Sequence, residues 1–249
     1  MKKIIIANWK MNGSSESTKK WAHDFMLSMP EIPYGVEVVA CPPAPLIPLL
    51  KYLMDGSEVK IGGQDCHAKP EGAYTGETSA KLLKDVGCSY VIVGHSERRA
   101  YSLESNEIVR AKAAGAIKSG LVPVICIGET KEQRDGGDTI KVINQQIDES
   151  LPKEAGAGNF ILAYEPVWAI GSGSLPTMDE IKQVHDAIIT RVSKSIAIET
   201  SDVYVLYGGS VKADNAGEIL AVPNVSGVLV GGASLNGQDF CKIIFSALN

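Results

Sequence analysis

The sequence predicts an α/β protein folded as a single-domain closed (β/α)8 barrel spanning residues 1–249. Three observations carry that expectation. Short apolar, β-branched runs alternate with longer amphipathic segments along the whole chain, which marks repeated strand-helix units around a parallel sheet. Eight such units can be counted, which fits a closed barrel better than a doubly wound sheet with its commonly smaller strand number. The length of 249 residues with 45% hydrophobic content can bury a large core, and no Pro/Ser-rich linker, charge block or low-complexity tract divides it.

In chain order the strand candidates are Lys3–Ala7, Val36–Ala40, Lys60–Gly62, Tyr90–Val93, Val122–Ile127, Phe160–Tyr164, Val203–Tyr207 and Gly227–Val230. Each is a brief apolar run of the kind that fills a strand covered on both faces. Helical periodicity follows them. Trp21, Phe25 and Met29 form one stripe in and just after 17–28, and Ile181, Val184, Ile188 and Val192 form another in 179–196.

Composition narrows the function classes. The five cysteines, Cys41, Cys66, Cys88, Cys126 and Cys241, are odd in number and scattered without a C-x-x-C pair, and read as reduced thiols of a cytosolic protein. The opening Met1-Lys2-Lys3-Ile4-Ile5-Ile6 has too short an apolar run for a signal peptide and reads as a first strand; no stretch reaches the length of a membrane span. A net charge of −5 argues against nucleic acid and anionic membrane as partners. An anionic ligand would therefore need local groups to overcome that background.

The polar residues fall at strand ends, which in a barrel share one face. Asn8-Trp9-Lys10 follow the first strand, His95-Ser96-Glu97 the fourth, Gly128-Glu129 the fifth and Glu165 the sixth. Gly208-Gly209-Ser210 and Gly231-Gly232 follow the last two. Paired glycines there let backbone N–H groups approach a phosphate, with nearby helix starts adding partial positive charge; a single pair is otherwise a tight turn. Lys10 is the one cation expected inside the mouth, with Glu97 as its ion-pair partner, although a strand-end lysine can equally snorkel outward. His95 precedes a helical turn whose positive end disfavours the imidazolium, leaving a neutral donor. Histidines 23, 67 and 185 take structural or surface roles.

Glu165 is the strong base candidate. Pro166 sets its direction, and Val167-Trp168-Ala169-Ile170 followed by Gly171 and Gly173 reads as a hinged cover that desolvates the carboxylate and raises its proton affinity. The same segment alone also reads as an ordinary strand-to-helix loop with its Trp on the surface.

Seven words in order complete the picture: 8–12 (NWKMN), 72–77 (GAYTGE), 93–99 (VGHSERR), 126–129 (CIGE), 163–171 (AYEPVWAIG), 207–211 (YGGSV) and 230–234 (VGGAS). With them the chain resembles the triosephosphate isomerase family over essentially its full length, a family in which a Glu base, a neutral His and a closing loop are the established pattern. The resemblance implies interconversion of dihydroxyacetone phosphate and D-glyceraldehyde 3-phosphate in glycolysis and gluconeogenesis, without metal or cofactor, in the cytoplasm. It implies Glu165 as base, His95 as electrophile and proton carrier, and Lys10 as oxyanion stabiliser, with Ser96 and Glu97 in support. Asn8, Trp9, Gly171, Ser210, Gly231 and Gly232 would bind the ligand. Tyr74, Thr75 and Gly76 match the family's dimer loop, which implies a homodimer.

Two departures stand out. The far side of the lid reads Ser174-Leu175-Pro176, which puts hinge stiffness in question. Asp65 occupies a position where relatives carry Asn, and a carboxylate near the mouth would disfavour an anion unless a neighbour neutralises it. Two rival readings use the same residues. One is a class I aldolase-like barrel in which Lys10 forms a Schiff base; the other is a non-catalytic barrel that binds sugar phosphate.

Overall fold

A computed structural model describes residues 2–170 and 174–248. Eight parallel strands close into a barrel in sequential order among the described residues. They are β1 (Lys3–Asn8), β2 (Val36–Cys41), β3 (Lys60–Gly63), β4 (Tyr90–Val93), β5 (Val122–Ile127), β6 (Ile161–Tyr164), β7 (Val205–Tyr207) and β8 (Gly227–Val230). The expected strands recur with small shifts at their ends. The sixth and seventh start later than the apolar runs suggest, because Phe160 and Val203 pack as buried approach residues rather than joining the ladder.

The helices are α1 (Ser15–Ser28), α2 (Ile47–Leu53), α3 (Ala80–Asp85), α4 (Ser96–Tyr101), α5 (Asn106–Lys118), α6 (Lys131–Asp135), α7 (Thr139–Ser150), α8 (Met178–Ile196), α9 (Ala216–Ala221) and α10 (Gly237–Phe245). Local chemistry starts several of them. Ser14 caps α1 and Thr177 caps α8, each in a reciprocal capping box. The expected stripes face inward: Trp21 and Phe25 of α1 stack at 5.0 Å, and Ile181, Val184, Ile188 and Val192 of α8 are all buried.

Side chains alternate across each strand and so divide the apolar residues into two cores. Ile4, Ile6, Val39, Ile92, Val124, Cys126, Ile161, Ala163, Leu206 and Leu229 fill the barrel interior. Ile5, Ala7, Val38, Val91, Ile125, Leu162 and Val228 belong to the larger core between strands and helices. The five cysteines are free and buried. Among the described residues no helix is long and apolar enough to cross a membrane.

The alternation also decides what stands at the mouth. Continuing the inward parity one position past each interior row reaches Asn8, Gln64, Gly128, Glu165, Gly208 and Gly231. Most of these are small or polar, so the barrel is plugged below and open above.

Candidate active site

Glu165 takes the inward position directly above Ala163, and the ladder places it between neighbouring strands. Its backbone N–H donates to Ile127 O at 2.8 Å, and Gly208 N–H donates to Tyr164 O at 2.7 Å. A Cβ on residue 128 would lie 1.7 Å from Glu165 O, and one on residue 208 would lie 3.0 Å from Glu165 Cγ. Gly128 therefore makes room for the Glu165 backbone and Gly208 for its side chain. The residue is only 1% exposed. Its Oε2 accepts the Ser96 backbone N–H at 2.8 Å, while Oε1 lies 2.9 Å from His95 Nε2. That second approach is a close contact off the hydrogen-bond axis, since Oε1 has no well-aligned donor among the described residues.

His95 reaches the mouth by a turn. Gly94 adopts φ 66°, a left-handed conformation that redirects the chain as it leaves β4, and His95 then caps α4. Its Nδ1 accepts the Glu97 backbone N–H at 3.2 Å, so the proton of the neutral ring belongs on Nε2, facing Glu165. Burial pushes the imidazole's pKa down, but the Glu165 carboxylate more than offsets this and the net direction is up. This corrects the expectation from the helix start alone: the Glu165 contact, not the amide end of a short helix, dominates while the two side chains touch. Arg99 fixes the turn from below, donating to Gly94 O at 2.9 Å and to Cys126 O at 3.1 Å.

Lys10 has a positive φ of 52°, an unfavourable conformation for a residue with a Cβ. Two contacts hold it there: its N–H donates to Asn8 Oδ1 at 3.0 Å, and Gln64 Nε2 donates to its carbonyl at 2.9 Å. The ammonium sits 2.5 Å from Glu97 Oε1. Sequence reasoning overlooked Gln64, although inward parity along β3 points to it.

A cavity of 390 Å³ joins these groups, lined by Asn8, Lys10, His95 and Glu165 together with Gly208–Ser210 and Gly231–Gly232. Ile170 borders it as well, and so does Lys212, a second cation at the rim that corrects the expectation of Lys10 alone. Gly209 has no room for a side chain, because a Cβ would fall 2.2 Å from the Tyr207 hydroxyl. A 3-10 turn over Gly232–Ser234 starts directly after Gly231, whereas α9 begins only at Ala216, further from Ser210 than expected.

Two expected contributors stand elsewhere. Trp9 packs edge-on against Trp21 at 5.2 Å and belongs to the outer core, so its side chain is not part of the cavity wall. Trp168 does not cover Glu165 directly; its Nε1 donates to Glu129 Oε1 at 2.9 Å. Gly171 and Gly173 lie outside the described residues. The Tyr74–Gly76 segment forms an exposed turn, with the Tyr74 ring tilted against His67 at a centroid distance of 4.0 Å.

The charge of Asp65 is matched. Lys112 Nζ donates to both carboxylate oxygens at 2.8 and 2.7 Å, and Arg98 Nε lies 2.9 Å from Oδ2. Glu104 bonds the same two cations at 2.6 and 2.5 Å, giving two acids and two bases in alternation. Burial still pushes the Asp65 pKa up, with Lys112 opposing.

The site combines a buried carboxylate, an imidazole, a lysine side chain and a glycine-lined pocket at the mouth of a (β/α)8 barrel. These are the parts of an enzyme that holds a small phosphate ester and moves a proton within it. Comparison with known proteins agrees and is more specific. The family model described as triosephosphate isomerase matches residues 3–247. A triosephosphate isomerase of Ruegeria sp. (strain TM1040) is 49% identical over 243 residues, covering 98% of this chain and 97% of the relative. One of Afipia carboxidovorans is 48% identical over 240 residues, covering 96% and 95%. The crystal structure of triosephosphate isomerase from Bartonella henselae superposes with a TM-score of 0.91 at 40% identity, covering both chains completely. The chain belongs to the triosephosphate isomerase family.

Proposed function

We propose that the protein interconverts dihydroxyacetone phosphate and D-glyceraldehyde 3-phosphate through an enediolate, in glycolysis and gluconeogenesis in the cytoplasm. The observation that carries this reading is the meeting of Glu165 Oε1 and His95 Nε2 at 2.9 Å in the wall of a cavity that Gly208, Gly209, Gly231 and Gly232 also line. Phosphate binding alone requires neither side chain.

The phosphate lies against the N–H groups of Gly209, Ser210, Gly231 and Gly232, with Lys212 adding charge at the rim and Gly171 contributing from the lid. This places the carbonyl near His95 Nε2–H and the Lys10 ammonium, which stabilise the oxygen as it gains negative charge. Glu165 leaves the Ser96 N–H, takes the proton from the carbon beside the carbonyl and returns it to the neighbouring carbon. His95 moves a proton between the two enediolate oxygens. Asn8 and Gln64 keep Lys10 in its strained position, and Glu97 orients the ammonium.

A Schiff-base aldolase needs Lys10 Nζ free to attack a carbonyl carbon, and Nζ is instead engaged by Glu97 Oε1 at 2.5 Å. The active unit is a homodimer in which the turn at Tyr74, Thr75 and Gly76 docks beside the partner's mouth. The whole chain acts as one domain without metal or cofactor.

A coupled assay of isomerisation, run with and without phosphoglycolate as a mimic of the enediolate, tests the reaction. Turnover inhibited by the mimic is the expected result. Binding of phosphoglycolate without turnover would leave only a sugar-phosphate binder, and borohydride trapping of substrate on Lys10 would indicate the aldolase. Light scattering of the chain carrying Tyr74→Gly and Thr75→Gly tests the dimer, with monomer as the expected outcome.

A further inference from the structure

Arg134, on α6, is not part of the cavity wall, yet it joins the two chain segments on either side of the stretch that follows Glu165. Its guanidinium carbon lies 4.2 Å from the centroid of the Trp168 ring. Its Nη1 is 3.8 Å from Glu129 Oε1, the oxygen that also accepts Trp168 Nε1 at 2.9 Å and the Tyr164 hydroxyl at 3.1 Å. On the other side its Nη2 pairs with Glu180 Oε1. The second Glu180 oxygen accepts the Thr177 backbone N–H at 2.8 Å, and Thr177 Oγ1 accepts the Glu180 N–H at 3.3 Å, which caps α8. A planar guanidinium can offer one face to an aromatic ring while its edges reach two carboxylates; an ammonium cannot do this with one rigid geometry.

Trp168 is mechanically close to the base. Pro166 follows Glu165 at φ −66°, and the single turn Val167–Ala169 is closed by Ala169 N–H to Pro166 O at 2.8 Å. A proline and a closed turn leave little slack, so a tilt of the Trp168 ring reaches the Glu165 Cα.

We propose that Arg134 is a positioning residue for the isomerisation: it clamps the Pro166–Ala169 turn to the first turn of α8 and so fixes where the Glu165 carboxylate is delivered. This rests on the reading of Glu165 as the base. Misplacing a base by about 1 Å can cost on the order of a hundredfold in rate, so a residue remote from the substrate governs kcat without contributing to phosphate binding.

The test is steady-state kinetics on the full chain carrying Arg134→Met, Arg134→Lys, Glu180→Gln or Arg134→Met with Glu180→Gln. Inorganic phosphate binding is followed by calorimetry and folding by thermal melts. Arg134→Met is expected to lower kcat about tenfold or more while KM and the phosphate Kd stay within about twofold. Arg134→Lys recovers part of the loss, because it keeps the cation and loses the fork. The double variant is no slower than the slower single one, because both changes break the same bridge.

A kcat within twofold of the unaltered protein in Arg134→Met overturns the proposal. So do losses that multiply in the double variant, or a kcat loss matched by equal weakening of phosphate binding and a lowered melting point. If Arg134→Met does not fold, Glu180→Gln decides alone: its side chain is 41% exposed, and an unchanged kcat would refute the clamp. Absence of isomerase activity in the unaltered protein removes the isomerase reading and this proposal together, whereas an active protein indifferent to Arg134→Met removes the proposal alone.

Discussion

Glu165 Oε2 accepts the backbone N–H of Ser96 at 2.8 Å, so the base is held by the residue immediately after His95. One short turn thus carries the imidazole and also anchors the carboxylate. In this arrangement the carboxylate faces an amide and an imidazole, and the proposed reaction requires it to exchange the Ser96 N–H for the substrate. The exchange happens beside Gly208, where an added Cβ would lie 3.0 Å from Glu165 Cγ.

Shortening the base by one methylene should therefore affect chemistry and spare binding. Glu165→Asp is expected to lower kcat by about a hundredfold with little change in KM. Parallel loss of phosphoglycolate affinity would contradict the assignment of Glu165 as base.

The imidazole is expected to act through the Nε2 proton. His95→Gln removes the ring that takes the Glu97 N–H on one edge and faces Glu165 with the other, and should reduce kcat by about 10²-fold or more. Initial rates measured in both reaction directions check this, and a full-rate variant would exclude His95 from proton transfer.

The Asp65 cluster predicts an asymmetry in stability. Lys112 is 7% exposed by side chain and bonds both Asp65 and Glu104, which are 17% and 4% exposed. Lys112→Met leaves two buried carboxylates sharing Arg98 and should destabilise the fold by about 3–5 kcal/mol. Asp65→Asn leaves Lys112 paired with Glu104 and should cost much less. Urea unfolding of the two variants compares them directly, and equal midpoints would show that the cluster contributes nothing.

His185 supplies a pH test. It is fully buried in α8, with Nδ1 3.2 Å from Asn224 O, and burial lowers its pKa from 6.5 to about 4. The folded ring stays neutral where the unfolded ring takes up a proton, so its contribution is complete above pH 6.5 and is lost as pH falls from 6.5 towards 4. The loss is on the order of 3 kcal/mol. Unfolding free energy measured at pH 7 and pH 4.5 should drop more for the unaltered protein than for His185→Gln; identical drops would rule out the assignment.

Position 128 makes a purely steric prediction. Gly128→Ala places a methyl group 1.7 Å from the Glu165 carbonyl oxygen, a separation no structure accommodates. The strand pair β5–β6 must part, and activity should fall together with the melting temperature. Normal activity would mean that the two strands are not in this register.

Much of this molecule can be read along its chain. The repeated alternation of apolar runs and amphipathic segments specifies strands and helices because side-chain direction repeats with period two in one and 3.6 in the other. Eight repeats then specify closure, and closure brings strand ends to one rim, which is why Glu165, His95, Lys10 and the glycine pairs could be named together. Those residues are local in sequence terms: each stands one to three positions past an apolar run.

What the chain could not reveal were relationships between side chains from different units. That Lys112 and Arg98 offset Asp65, that Gln64 holds the Lys10 carbonyl, that Trp168 turns to Glu129 and Arg134, and that Trp9 belongs to the outer core all depend on distances across the barrel. The same holds for His95: its sequence context suggests a helix start that depresses its pKa, yet the facing carboxylate reverses the direction. Electrostatic and steric contacts act over a few ångströms of space whatever the separation along the backbone. Periodicity therefore determined the architecture and the identity of the candidate groups, and only the closed barrel decided which of them touch.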